Sequence, residues 1–175
     1  MRHVSIADVV TGRFPLPGRE HPRLVSELMQ ARDLPRFALA DAAPDVRGWH
    51  VIAADRTSVG TVSRLIVEMR TGAVRYLMVT LDPRLERRAR RVFASSVLVP
   101  VGLARRVDDL CTVLLDHITR DMLQSAPRIP DRPITRLDEE ITLEHFGLPA
   151  LDSHPDSVYA AEHFSLSALF KRPTE

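Results

Sequence analysis

The sequence predicts a mainly β protein with short helices, built as a small antiparallel β-barrel with N- and C-terminal extensions. Short segments rich in β-branched and aromatic residues recur between residues 49 and 115. Turn signals separate them, as in small all-β domains. Apolar residues make up 45% of the chain and charged residues 27%, a balance typical of globular proteins. Closing the sheet into a barrel would remove its unpaired strand edges.

Five strands follow from this pattern. The predicted strands are Trp49–Ala54, Val59–Glu68, Val74–Leu81, Val97–Leu103 and Leu110–Leu115. Between the second and third lies Met69–Gly72, a hairpin signal in which Gly72 can take a positive φ. The last two strands are predicted to pair as a hairpin around Arg105–Asp109.

Four parts are predicted along the chain. They are an extended N-terminal arm at 1–36, the barrel at 37–118, a helical extension at 119–150 and a partner-docking or flexible tail at 151–175. The arm contains several prolines and one short helical pattern, Arg23–Arg32. A second short helix is predicted at His117–Gln124 and an amphipathic stretch at Val158–Phe170. Such short apolar segments must be buried either on the barrel or on another subunit.

The longest predicted helix begins at a capping box. Thr135 and Asp138 have the Thr-x-x-Asp spacing that satisfies free N–H groups at a helix start. The helix then runs over Arg136–Phe146, with Leu137 and Ile141 stacked one turn apart.

Composition excludes several classes of protein. The net charge is +1, so the overall charge predicts no partner. Cys111 is the only cysteine, which excludes an intramolecular disulfide. Its apolar neighbours predict a small buried side chain in a reducing compartment. No apolar run approaches the roughly 20 residues needed to span a bilayer, and the N-terminus lacks an apolar signal core. A cytoplasmic protein with at most peripheral membrane association is expected.

Four segments together resemble the PRC-barrel domain in order and spacing. They are Pro44–Val51, Val59–Val62, Val74–Leu77 and Val97–Val101. Gly48 and Gly60 within them fit positions where a small barrel bends or packs closely.

Further segments resemble the cytoplasmic domain of the H subunit of photosynthetic reaction centres. They are Phe37–Asp41, Ala126–Ile129, Ile134–Glu140 and His145–Gly147. Two features depart from that family. The usual H subunit begins with a transmembrane helix, which has no counterpart in this sequence, and the insertion Asp82–Ser95 replaces a short turn.

The resemblance implies a cytoplasmic, H-like structural subunit that caps the quinone side of a bacterial reaction centre. Such a subunit stabilises the core and assists electron transfer and proton delivery to the secondary quinone. It would lie peripherally on the cytoplasmic face of the photosynthetic inner membrane, with reaction-centre core subunits and light-harvesting subunits as partners. Bacteriochlorophyll and quinones would be bound by those partners and no cofactor by this chain. The alternative is a free-standing PRC-barrel adaptor in RNA or ribosome metabolism or in stress response.

No catalytic, cofactor-binding or metal-binding residue is predicted, and the protein is not expected to be an enzyme. The seven histidines are scattered without a metal-ligand spacing. An enzyme stays a third, weaker alternative, which a pocket of convergent carboxylates would support. The resemblance does suggest a proton path through Asp108, Asp109 and Glu68. An Asp-Asp pair in a hairpin is also ordinary turn chemistry.

The insertion contains an arginine run. It consists of Arg84, Arg87, Arg88, Arg90 and Arg91. This run could contact anionic lipid, at about 1 kcal/mol per arginine, or acidic loops of partner subunits. It could equally be a solvated helix or loop that Glu86 partly neutralises. Nucleic acid is a third, weaker reading of the run, because no stacking aromatic residues accompany the arginines, and no nucleic-acid partner is expected.

Overall fold

The structure is a computed structural model and describes residues 28–30, 45–85, 95–152 and 157–170. Within these ranges the chain is mainly β, as predicted. The strands are β1 (Leu28–Gln30), β2 (His50–Ala53), β3 (Ser58–Glu68), β4 (Val74–Leu81), β5 (Ser96–Pro100), β6 (Arg105–Val107) and β7 (Thr112–Leu115). The α-helices are α1 (Arg120–Ser125), α2 (Arg136–His145) and α3 (Ser167–Phe170).

All these strands belong to one sheet, which is mixed and not purely antiparallel. Its order is β5-β4-β3-β2-β7-β6, and β1 also pairs with β3, beyond the end of β2. Every ladder is antiparallel except that between β2 and β7. The predicted antiparallel sheet is wrong at this point, because the chain crosses to the far side of β2 before β6 and β7 form. In the described ranges no ladder joins β5 to β6, so the sheet is not closed.

The β3–β4 hairpin follows the prediction. Val74–Leu81 has the predicted bounds, and the second strand begins one residue early at Ser58. Gly72 in the connecting turn has a φ of 70°, a conformation that costs other residues energy. From Tyr76 onward the residues of β4 alternate between the two faces of the sheet, as the period of two requires. Val74 lies on the face of Leu77, next to a bulge in β3 between Ile66 and Val67.

The second predicted hairpin is wrong. β5 ends at Pro100, which has no N–H to extend a ladder, and β5 pairs with β4. Arg105–Val107, predicted as part of the turn, is strand β6 and pairs with β7. The turn between them is Asp108–Leu110, followed by Cys111 with a φ of 45°. Cys111 is exposed there, contrary to the prediction of a buried thiol.

Beyond the sheet, the capping box is confirmed. Thr135 accepts a hydrogen bond from the Asp138 backbone N–H, and the Asp138 side chain accepts one from the Thr135 N–H. The predicted helix over Arg23–Arg32 is wrong at 28–30, where the chain pairs with β3 as β1. The other residues of that predicted helix lie outside the described ranges. Of the described residues, none belongs to a helix long and apolar enough to cross a bilayer.

Both faces of the sheet are covered by apolar packing. One buried cluster includes alternate residues of β4, such as Leu77 and Val79, together with Leu123 of α1. The other uses the intervening residues Tyr76 and Met78. Helix α2 and the segment 157–164 cover this second face. A strand that is buried on both faces needs apolar residues at successive positions, as β4 has from Tyr76 to Val79.

Gly60 provides a test of the sheet geometry. A Cβ at this position would lie 2.0 Å from the backbone oxygen of Thr80 on β4, and φ is 151°. Replacing Gly60 by alanine therefore forces β3 and β4 apart, and we expect a loss of at least about 3 kcal/mol in unfolding free energy. Urea denaturation followed by circular dichroism measures this.

Gly72→Ala is the matched control. Gly72 also has a positive φ, but no atom lies within 4 Å of its added Cβ. Only the backbone term remains, about 1–2 kcal/mol. Equal losses for the two variants would contradict the close approach of β3 to β4.

Candidate functional site

The most buried carboxyl group of the described chain lies where three parts of the protein meet. Glu139 of α2 has no exposed surface. Its Oε2 accepts hydrogen bonds from the Tyr76 hydroxyl at 3.0 Å and from the Tyr159 hydroxyl at 2.9 Å. Tyr76 is on β4 and Tyr159 is in the C-terminal tail. A single carboxyl oxygen thus joins the sheet, the helix and the tail.

Tyr76 can serve this carboxyl only as a donor. Burial raises the pKa of Tyr76 far above its ordinary value, and the nearby charge of Glu139 raises it further. The phenol therefore keeps its proton throughout the physiological range. An O–H donor is what a buried carboxyl group needs to offset the loss of water.

Aromatic rings surround this polar contact. The ring of Phe164 lies edge-on to both tyrosines, with centroid distances of 5.3 Å to Tyr76 and 5.0 Å to Tyr159. The Arg75 guanidinium stands 5.2 Å from the centroid of the Tyr159 ring. It also donates to the backbone oxygen of Phe164 at 3.4 Å. The ring pairs have the favourable edge-to-face geometry, and the Arg75–Tyr159 contact is a cation–π interaction.

Arg75 connects this region to Glu68, one of the predicted proton-path residues. Glu68 is buried at the end of β3 and accepts hydrogen bonds from Arg75 and Thr71, each at 2.7 Å. Burial acts to raise the pKa of Glu68, but these bonds and the charge of Arg75 outweigh it and lower the pKa. Glu68 is therefore ionised at neutral pH. The set Glu68, Arg75, Tyr76, Glu139, Tyr159 and Phe164 is called the tail cluster below.

The tail contains a buried histidine, His163, whose Nε2 lacks a hydrogen-bond partner among the described residues. The His163 ring centroid is 4.2 Å from that of Phe164. Burial lowers the pKa of His163, so the ring is neutral at pH 7. The backbone here rests on Gly102, where a Cβ would lie 2.3 Å from the oxygen of Glu162.

Comparison with known proteins identifies the central part of this architecture. Residues 40–113 match the family model of the PRC-barrel domain. This segment is a PRC-barrel domain. No curated protein matches the chain. The matched segment ends within β7, and the tail cluster joins residues of the PRC-barrel domain (Glu68, Arg75 and Tyr76) to residues beyond it (Glu139, Tyr159 and Phe164).

The other two predicted proton-path residues lie elsewhere on the PRC-barrel domain. Asp108 and Asp109 are exposed in the β6–β7 turn, and Asp108 forms an ion pair with Arg106 at 3.3 Å. At that end of the sheet, His50 pairs with Thr112 and with Thr61. Glu68 lies seven residues farther along β3, which has two bulges in between. Among the described residues, its hydrogen bonds and ion pairs are with Thr71, Arg70 and Arg75 and not with Asp108 or Asp109.

Only one member of the arginine run lies in the described ranges. Arg84 is exposed in a 3₁₀ turn, Pro83–Leu85, and its backbone N–H donates to Asp82 at 2.8 Å. The other members (Arg87, Arg88, Arg90 and Arg91) lie outside those ranges. No group of three or more metal-ligating side chains occurs in the described part of the chain.

Glu139, Tyr76 and Tyr159 are not predicted as site residues from the sequence. A signal for Glu139 was present, because it lies one turn before Leu143 and so shares the buried face of α2. The pairing of Glu139 with two tyrosines had no local signal, since the partners lie 63 and 20 residues away.

Removing the tyrosine hydroxyls tests the tail cluster. Tyr76→Phe keeps the ring but deprives the buried carboxyl of a donor, so we expect a loss of about 1–3 kcal/mol in unfolding free energy. Tyr159 is half-buried, and Tyr159→Phe should cost less, about 1 kcal/mol. The double variant should lose more than the sum, because both hydroxyls serve one oxygen. Ser167→Ala, which removes an exposed hydroxyl of the same tail, is the control for urea denaturation. Additive losses would contradict a shared acceptor.

His163 predicts a pH-dependent tail. Since its pKa is lowered in the folded protein, the neutral ring is favoured and tail stability is complete above the unfolded pKa of about 6.5. Stability falls as pH drops below that value, by up to about tenfold in protection for each unit of pKa depression. Hydrogen exchange of residues 157–170 at pH 7.5 and 5.5, corrected for intrinsic rates, measures this. His163→Gln should abolish the difference, and His117→Gln, at an exposed histidine, should not.

Proposed function

We propose that this protein is a non-catalytic docking subunit in which the PRC-barrel domain is the platform. More specifically, we propose a cytoplasmic, H-like subunit of a bacterial photosynthetic reaction centre that caps the quinone side. The PRC-barrel match supports the first part of the proposal. The resemblance of the segments that follow the domain supports the second.

The packing of those segments is the observation on which the proposal depends. Ile129, in the turn that resembles the H-subunit turn, donates its backbone N–H to Ser96 on edge strand β5 at 2.8 Å. Ile134 and Leu143 are buried in the same apolar cluster as Tyr76 and Met78 of β4. The C-terminal extension therefore forms one packed unit with the PRC-barrel domain. A rigid cap on a membrane complex needs such a unit, because a loosely tethered extension would not exclude water.

The proposed role is structural and electrostatic. The subunit would stabilise the core and shield the quinones, while partner subunits bind bacteriochlorophyll and quinones. Asp108 and Asp109 are exposed and can exchange protons with water, which suits the outer end of a path to the secondary quinone. Glu68, ionised and paired with Arg75, would act as a fixed negative charge.

The proposed location is the cytoplasmic face of the photosynthetic membrane, held peripherally. Core subunits are the main proposed partners, and light-harvesting subunits are further candidates. The arginine run that begins at Arg84 would contact anionic lipid headgroups or acidic partner loops. Each arginine near an anionic surface contributes about 1 kcal/mol.

Affinity purification tests the proposal directly. The tagged full chain is isolated from photosynthetically grown cells of its source in mild detergent, and near-infrared absorbance of the eluate is recorded. We expect bacteriochlorophyll absorbance and reaction-centre core subunits to co-purify, and a tag on an unrelated cytoplasmic protein gives the background. Deleting the gene should lower the reaction-centre content and slow electron transfer to the secondary quinone.

Two results would contradict this proposal. An eluate free of pigment and membrane would exclude the reaction-centre role. Ribosomal particles or RNA in that eluate would favour a free-standing PRC-barrel adaptor in RNA metabolism.

A further inference from the structure

Helix α2 presents an unusual distribution of side chains. Its buried residues include Asp138, Glu139 and Thr142. Leu137 and Ile141 are instead exposed, by 55% and 37% of their surface. An amphipathic helix normally turns its apolar stripe toward the core. Only four large apolar residues of the described ranges are exposed, and two of them are adjacent on this one helix.

The tail cluster and the capping box fix this rotation. Asp138 pairs with Arg132 at 2.7 Å, and Glu139 accepts its bonds from Tyr76 and Tyr159. The Thr142 hydroxyl donates to the backbone oxygen of Asp138 at 2.6 Å. Turning Leu137 and Ile141 inward would separate Asp138 from Arg132 and Glu139 from its two tyrosines, each at a cost of about 1–3 kcal/mol. The Thr142 bond lies within the helix and would survive such a rotation. The apolar pair is therefore held in solvent.

A row of acidic side chains flanks the apolar pair. Glu140 and Glu144 are exposed and lie three residues after Leu137 and Ile141 respectively, so the two rows are neighbours on the helix surface. Arg136 offsets part of the charge of this row. It contacts Glu140 at 3.3 Å and the backbone oxygen of Asp152 at 3.0 Å. The four residues Leu137, Glu140, Ile141 and Glu144 are called the α2 ridge.

We propose that the α2 ridge docks an amphipathic segment of a partner protein whose apolar residues are flanked by lysine or arginine. The i, i+4 apolar pair supplies the apolar contacts, as where the side-chain ridges of two helices pack together. The acidic row selects the basic flank by charge complementarity. A second copy of this chain is less favourable, because it would bring two acidic rows to one interface. The inference rests on the proposed docking role, but not on which complex the subunit joins.

The ridge is small, so it forms one part of a larger contact or a weak contact by itself. Stable interfaces bury about 800 Å² on each partner, far more than two apolar side chains provide. Its contribution is therefore to orient and select a partner segment.

Two designed peptides test the proposal. Both are fluorescently labelled, 18-residue amphipathic helices, one built of leucine and lysine and one of leucine and glutamate. Binding to the purified full chain is measured by fluorescence anisotropy. We expect the leucine–lysine peptide to bind at least tenfold more tightly, with an affinity that falls as salt increases. The double variant Leu137→Ser/Ile141→Ser should weaken that binding at least fivefold, and Glu140→Lys/Glu144→Lys should reverse the preference between the peptides.

Leu110→Ser, at an exposed leucine on the β6–β7 turn, is the matched control and should bind like the unmodified chain. Circular dichroism melting verifies that each variant is folded. Hydrogen exchange of the unmodified chain gives a second readout that needs no variant. Bound leucine–lysine peptide should protect residues 136–145 more than any other described segment.

Equal binding of the two peptides, or binding that is unaffected by the Leu137 and Ile141 changes, would overturn the proposal. Light scattering that shows a dimer in the unmodified chain and a monomer in the double variant would assign the ridge to a second copy. The pigment readout separates the two proposals. If the unmodified chain co-purifies with pigment but binds the two peptides equally, the inference about the ridge fails and the proposed function stands.

Discussion

The arrangement of this protein depends on the satisfaction of one buried carboxyl group. Glu139 cannot reach water, so it must be held by protein donors. Those donors come from Tyr76 on β4 and Tyr159 in the tail. The carboxyl thereby fixes the rotation of α2 and the position of the tail. Both elements cover the face of the sheet that contains Tyr76 and Met78. Buried polar networks of this kind select one arrangement among several that apolar packing alone would permit.

This constraint links the packing of the protein to its surface. Because the polar face of α2 is committed to the inside, the apolar residues Leu137 and Ile141 remain outside. The tail, held by a few polar and aromatic contacts, carries a histidine that prefers to be neutral. A docking subunit would use both features, since one presents a contact and the other responds to its surroundings. The PRC-barrel domain supplies the rigid sheet on which they are mounted.

Local signals in the sequence predict the local structure of this protein well. The β3–β4 hairpin and the capping box at Thr135 depend on turn glycine and side-chain geometry, which act over a few residues. The pairing of β7 with β2 does not depend on such local features. The apolar pattern of β7 would fit a hairpin with β5 equally well. The site follows the same division. Glu68 could be selected by its place at a strand end, whereas the meeting of Glu139 with two distant tyrosines is a tertiary event.

The parallel ladder has a consequence for the order in which the chain folds. It joins His50 to Thr112 and Ala53 to Leu115, each pair 62 residues apart, whereas β2 to β5 pair in sequence as a meander. Closing so long a loop costs entropy before any contact offsets it. Non-local pairing of this type slows folding. During synthesis the meander can therefore assemble first. The edge of β2 that later pairs with β7 then stays unpaired until β7 has left the ribosome.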